Sequence, residues 1–342
     1  MNMKILTKIP VNYSIICSAF VCSLLVGLSG CSKKSAEDVS LKQSEETYTL
    51  MRGDTPILTY QKAEVMPPEG IDISWRRSGF IHPLRAPSGA IVTSIHAKDH
   101  YHHMGLWHAW VQAEYGTPEV VLDFWNIGDR KVIREEPRLM GTAGRVRYTG
   151  TKEIRDAGFT VLQEQVAYLD GVDAIPTVIL SEEFAVDASF FDGANVVDYV
   201  VTQTNNSPKT LTYSAYRYGG GLAYRAPLTW NAENSDYLTS EGFDRTNSHM
   251  TRARWVAMFG PVEEGEGEDA TVVVLCHPDN HDAPQRLRTW DNGDIFLNWV
   301  PVQETPWSIA PGETYSLAYQ IVVFDGRVDT PTIEAFWDRY AK

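Results

Sequence analysis

The stretch Asp99–Trp110, "DHYHHMGLWHAW", places four histidines and two tryptophans within twelve residues. Widened to Phe80–His108, the window holds six of the chain's nine histidines: His82, His96, His100, His102, His103 and His108. Imidazole is the side chain that titrates nearest neutral pH, so such a gathering can move protons. It can equally hold a divalent metal, for which three histidines suffice. A third use is structural, with each ring buried and hydrogen-bonded. If Asp99–His103 is extended, His100 and His102 share one face and His103 points to the other. Gly105 permits a bend, after which His108 and Trp110 share a face. Asp99 is placed to orient one ring. His100 and His103 are therefore the first acid–base candidates, with His102, His108 and Asp99 as substrate contacts. A metal set would draw on His100, His102 and His108. No recognised ligand spacing supports it, neither H-E-x-x-H nor a cysteine pair. No cofactor is expected, and a divalent metal is the alternative.

Two further segments carry chemistry. "YRYGGGLAYR", Tyr216–Arg225, has three glycines that let another group or a ligand approach the backbone. Tyr218 can share proton transfer, and Arg217 and Arg225 can grip a carboxylate or sulfate bidentately. The plainer alternative is a β-bulge with a structural ion pair. "CHPDNHDAP", Cys276–Pro284, delivers His277 from a strand into a proline-bounded loop, where sites often lie. His277 is a third catalytic candidate, and Cys276 reads as core. Asp123 in "LDFWN" is a carboxylate in an aromatic setting. Trp107 and Trp125 are the tryptophans expected to face a ligand.

The elements that must position these groups read as strands. Short β-branched and aromatic runs recur between Gly, Pro, Asn and Asp, among them "FTVLQEQVAYL", "ANVVDYVVTQTNN" and "TYSLAYQIVVFDG". "TVVVL" is apolar throughout and suits a strand covered on both faces. One helix closes the chain in "DTPTIEAFWDRYAK". Asp329 or Thr330 can cap it, Pro331 fits its first turn, and Ile333, Phe336, Trp337 and Tyr340 follow at helical spacing. The expected fold is all-β: one large antiparallel β-sandwich over residues 50–342 with a single C-terminal helix.

The N-terminus points to export. Lys4 and Lys8 precede an uncharged apolar run, Tyr13–Leu28, too short for a bilayer span of roughly 20 residues. "LSGC" follows and resembles a bacterial lipobox, which makes residues 1–30 a signal peptide and Cys31 the lipidated residue. Residues 31–49 then read as a flexible tether. This places the protein in the cell envelope, on the periplasmic or outer-membrane side, with the membrane met through the lipid anchor only. Cys17 and Cys22 leave with the signal, so Cys276 has no intrachain partner. A formal charge of −14, with no Walker loop and no dinucleotide fingerprint, argues against nucleic acid and nucleotides as partners. Glu263–Asp269 reads as an acidic exposed loop.

The histidine segment resembles the bacterial "PmoA family", also labelled methane oxygenase PmoA. Pro83, Pro87 and Gly89 match the first part of its pattern. Asp99, His100, His103, Gly105, Leu106 and Trp107 match the second, and Asp123 and Trp125 the third. Gly219, Gly220 and Arg225 resemble its "GG-x-x-R" segment, and "HPDNHDAP" and "GETYSLAYQIVVFDG" resemble its later motifs. Met104 departs from the pattern, which commonly has a basic residue there. The label does not imply methane oxidation, because a monooxygenase membrane subunit crosses the bilayer several times and this chain has one short apolar run. The resemblance implies glycan utilisation and a large sandwich similar to sugar mutarotases and polysaccharide lyases. The expected activity is hydrolysis or β-elimination of a glycan or modified sugar, with a carbohydrate or sugar acid as ligand. The alternatives are a non-catalytic glycan-binding lipoprotein and a histidine-ligated metalloenzyme.

Overall fold

Strand-forming runs dominate the computed structural model, which describes residues 38–126, 142–170, 174–262 and 269–342. The signal segment, Cys31 and residues 263–268 of the acidic loop lie outside the described residues. One sheet of eight strands runs Val39–Gln43, Thr47–Arg52, Thr55–Gln61, Phe80–Leu84, Leu106–Trp107, Ala223–Arg225, Phe296–Val300, Arg286–Arg288 from edge to edge. A second sheet has twelve strands, centred on Thr314–Asp325, Ala194–Asn205, Thr177–Phe191 and Gly158–Ala167. Pairing is antiparallel except between Thr117–Asp123 and Thr142–Arg155. Leu58, Ile81, Leu106 and Leu297 of the first sheet share one buried cluster with Val161, Phe184, Val197 and Ile321 of the second. The two sheets therefore pack face to face, as in a sandwich.

The tether is shorter than the sequence suggested. Val39–Gln43 pairs with Thr47–Arg52 at the edge of the first sheet, so residues 39–49 belong to the sandwich. Tyr48 explains why: its ring packs 5.2 Å from that of Phe159 in the opposite sheet. The polar residues around it had hidden one buried anchor.

"TVVVL" lies in the strand Asp269–Cys276, buried from Ala270 to Cys276. The helix Thr330–Tyr340 covers its outer face, placing Ile333 and Phe336 against Val273, Leu275 and Phe324. Asp329 caps the helix, its carboxylate accepting from the Thr332 amide at 3.0 Å.

The centre of the sandwich holds a polar row. Gln163, Glu182, Gln203 and Tyr315 sit directly opposite one another on four adjacent strands of the larger sheet. In the alternation of Thr177–Phe191, Glu182 takes an inward position between Leu180 and Phe184. Its carboxylate accepts from His108 Nε2 at 2.7 Å and Gln203 Nε2 at 2.6 Å, and from Gln163 Nε2. Burial pushes the Glu182 carboxyl up, but the His108 charge and these hydrogen bonds outweigh it and hold the group below its usual range. His108 Nδ1 meets the Tyr199 hydroxyl at 2.5 Å, so both ring nitrogens are used. Trp110 Nε1 donates to Gln203 Oε1 at 2.9 Å. The row thus takes hold of the histidine-rich segment at two points.

His108→Ala should leave a buried carboxylate short of its main partner and cost about 3–5 kcal/mol of stability. Replacing both residues, as His108→Leu with Glu182→Leu, should cost much less. Urea unfolding of the three proteins reads this, and a His108→Ala loss under about 1 kcal/mol would show that the pair is not an anchor.

Candidate functional site

Upstream of that anchor, His100–Met104 forms a two-stranded ribbon with Ile95–Ala97. Gly105, at φ 65°, turns the chain into Leu106–Trp107; a Cβ there would lie 2.3 Å from the Ile81 carbonyl oxygen. The three imidazoles of the strand His100–Met104 converge. His100 stacks on His103 at 4.7 Å between ring centroids, and His102 meets His103 edge-on at 4.7 Å. Flat alternation would have sent His103 to the far side. The register shift between Ile95 and Ala97, with His96 at φ 51°, adds to the strong twist of a two-stranded ribbon and brings the rings together.

His103 is buried at 2% exposure, stacked on Phe296 at 4.6 Å, with Trp107 and Trp290 close by. Its Nδ1 has no hydrogen-bond partner among the described residues. Burial, then the His102, His100 and Arg225 charges, lower its pKa well below that of an ordinary imidazole. His102 is lowered well below for the same first reason, helped by His100, Arg77 and Arg225. Both rings are therefore neutral at pH 7.

His100 sits at the rim and is more exposed. Its Nδ1 donates to Asp99 Oδ2 at 2.7 Å, which fixes the tautomer and leaves Nε2 with no partner among the described residues. Partial burial raises the Asp99 carboxyl, but the His100 hydrogen bond and the Arg225 and His100 charges outweigh it and hold it below its usual range. Arg225 is 1% exposed, with Nη2 at 2.7 Å from Asp294 and 3.6 Å from Asp99. Its Nη1 is buried without a partner among the described residues, and its guanidinium lies 4.9 Å from the centre of the Trp290 ring. Tyr218 joins the cluster through its hydroxyl, which accepts from Trp107 Nε1 at 3.1 Å; burial pushes the phenol up, so it stays protonated. His100 and Trp290 line a cleft of about 420 Å³ together with His249, Arg288, Asp291 and Arg245.

Other expected site residues lie elsewhere. His108 is the core anchor rather than a substrate contact, and the metal set of His100, His102 and His108 does not converge. Among the described residues no His, Cys, Asp or Glu cluster forms a metal-holding group. His277 lies by the C-terminal helix, its ring 5.2 Å from Tyr340 and its Nδ1 accepting from the Asp279 amide, so it shares no partner with the cluster. Asp123 is buried at 2% exposure and turns the chain, its Oδ1 accepting from the Trp125 and Asn126 amides. Trp107 and Trp125 stack on each other at 6.1 Å and are fully buried, so neither offers a face to a ligand. Gly220 receives protein rather than ligand: the Trp110 ring occupies the space a Cβ would fill. Arg217 is exposed, and its charge acts on Arg288 and His249.

The sequence reading missed Trp290, Phe296, Asp294, Arg288 and His249. The signal was present in "RLRTWDNGDIF", Arg286–Phe296: alternating arginines around a leucine, then an aromatic in a Gly/Asp-rich turn.

A family model described as "Family of unknown function (DUF6807)" matches residues 47–338. No curated protein sequence matches the chain. Among solved structures, it is similar to a galactose mutarotase-like protein from Lactobacillus casei, at 12% identity and TM-score 0.34 over 83% of this chain and 99% of that one. A galactose mutarotase-like protein from Clostridium acetobutylicum is similar at 10% identity and TM-score 0.34, over 84% and 99%. A GH36 α-galactosidase from Geobacillus stearothermophilus is similar at 12% identity and TM-score 0.30, over 84% of this chain and 41% of that one.

The lowered His103 has a consequence for stability. Between its depressed folded pKa and the ordinary value of about 6.5, the unfolded chain binds a proton that the folded one refuses. Its contribution is complete above about pH 6.5 and is lost as pH falls, at up to about 1.4 kcal/mol per pH unit. His103→Phe should therefore lose less stability than wild type between pH 7.5 and pH 5 in urea unfolding. Equal losses would mean that His103 is not held neutral by burial.

Proposed function

This chain belongs to the DUF6807 family, and we propose that it is a carbohydrate-active enzyme that moves a proton at His100. The observation that carries this is the Asp99–His100 pair at 2.7 Å on the rim of the cleft. A carboxylate holding Nδ1–H leaves Nε2 as a base when the ring is neutral and an acid when it is charged. Hydrolysis of a glycosidic bond needs a proton delivered to the leaving oxygen. β-Elimination needs one removed from a ring carbon. His100 Nε2 serves either, and the neutral Tyr218 phenol can supply a second proton.

The sugar reading rests on the lining. Trp290 presents an aromatic surface beside His100, which suits the apolar face of a pyranose. Arg225, His102 and His103 provide fixed polar groups behind it, two of them with unsatisfied nitrogens. Buried, unpartnered donors and acceptors are costly, and a polyhydroxylated ligand can satisfy them.

The chain is further proposed to be an envelope lipoprotein anchored through Cys31. The lipobox-like "LSGC" supports this.

With purified protein and a panel of uronic, sulfated, keto and neutral oligosaccharides, His100→Ala should lower turnover by about 10²–10⁴-fold while the fold is kept. Asp99→Asn should fall between the two. A substrate turned over equally well by His100→Ala would end the catalytic assignment, and binding with no turnover would make the protein a glycan-binding module. Independently, Cys31→Ser should abolish palmitate labelling in cells, and equal label in both proteins would refute the anchor.

A further inference from the structure

Arg288 sits on the edge strand Arg286–Arg288 and lines the same cleft as His100. The described arginines mostly have acceptors. Arg286, two residues earlier on the same face of the strand, holds Glu304 at 2.6 Å. Arg225 holds Asp294, Arg252 holds Asp282 and Arg254 holds Glu334. Arg245, in the same cleft, is spent on the Gly293 and Ser235 carbonyls at 2.8 Å. Among the described residues, the side chain of Arg288 makes one hydrogen bond, to His249 Nε2 at 3.1 Å. That contact neutralises nothing, because a guanidinium can only donate and the imidazole must accept as a neutral ring. Arg288 is half-buried, so water compensates it only in part. The charge of a second arginine, Arg217, bears on both Arg288 and His249. Asp291 also lines the cleft and its charge partly offsets that of Arg288, with no ion pair between them among the described residues.

A half-buried guanidinium lining a cleft without an ion pair among the described residues is a cost that a bound anion would offset. The same cleft is lined by Trp290 and by His100, whose Nδ1 is held by Asp99. We infer that Arg288, with Arg217 and His249 beside it, forms an oxyanion subsite of the cleft, and that the ligand is a sugar bearing a carboxylate or sulfate. A planar guanidinium pairs with either group through two parallel N–H donors. This rests on the proposed function for the sugar but not for the anion.

The test measures binding by calorimetry for wild type, Arg288→Gln, Arg217→Gln and Arg286→Gln. The probes are a uronic, a sulfated and a neutral oligosaccharide of equal length, and sodium sulfate at fixed ionic strength. An acidic oligosaccharide should bind wild type roughly tenfold or more tighter than the neutral one. That preference should vanish in Arg288→Gln, weaken in Arg217→Gln and persist in Arg286→Gln, whose charge is already paired. Whether the uronic or the sulfated probe gains more identifies the oxyanion. Equal binding of acidic and neutral probes, or a preference unchanged in Arg288→Gln, overturns the subsite and leaves the proposed function standing. Sulfate binding lost in Arg288→Gln with no oligosaccharide bound supports the subsite and overturns the sugar. Binding of no probe at all overturns both.

Discussion

A carboxylate in the middle of a β-sandwich is the constraint on which the site depends. Removing Glu182 from water costs several kcal/mol unless every oxygen is answered. The answer comes from three directions: Gln163 and Gln203 from the flanking strands, in register with Glu182, and His108 from the facing sheet. A slip of one residue in either strand would turn a glutamine outward and leave the carboxylate exposed to hydrocarbon. The row therefore fixes the register of the larger sheet. It also draws His108 and Trp110 down between the sheets, and the chain before them must follow.

That traction explains where the other histidines lie. Ala223 pairs with Trp107, and the Arg225 amide donates to the Gly105 carbonyl, so the segment is held from the side as well as from below. His100–Met104 is left just beyond the last anchored turn, at the end of the sandwich. The two kinds of imidazole differ in one respect. His108 has both nitrogens bonded within the core. His103 is as deeply buried yet has Nδ1 unsatisfied, beside an Arg225 whose Nη1 is likewise unsatisfied. The fold answers every polar atom of its central row and leaves these two buried nitrogens without a partner among the described residues.

Local patterning carried much of the fold into the sequence. The both-faces strand Asp269–Cys276, the capped helix after Asp329 and the bend at Gly105 were legible because each depends on neighbours within a few residues. The site was legible only in outline. His100, His103 and His108 share one nine-residue stretch, but Glu182 and Tyr199, which make His108 structural, lie 74 and 91 residues away. Glu182 and Gln163 read as surface residues in alternating strands, and only the facing sheet shows their side to be the inner one. Asp123 and the two buried tryptophans were misplaced for the same reason, since composition identifies an aromatic setting without saying which side faces water.

The charge of the whole chain and the charge of the cleft pull in opposite directions. At physiological salt, fields fade over about 8 Å, so a net charge of −14 slows the approach of an anion but does not decide what happens once it is in contact. Within the cleft the local inventory governs. Arg225 is cancelled by Asp294 and Asp99, and Arg245 is absorbed by backbone carbonyls, so neither offers its charge outward. What remains is Arg288, half-buried on the edge strand of the first sheet, with no ion pair among the described residues. On the proposed reading, the cationic group in the cleft retains an anion only if it also fits the aromatic and imidazole lining. On that reading the selectivity of the cleft resides in Trp290 and Arg288 together, and neither residue alone would confer it.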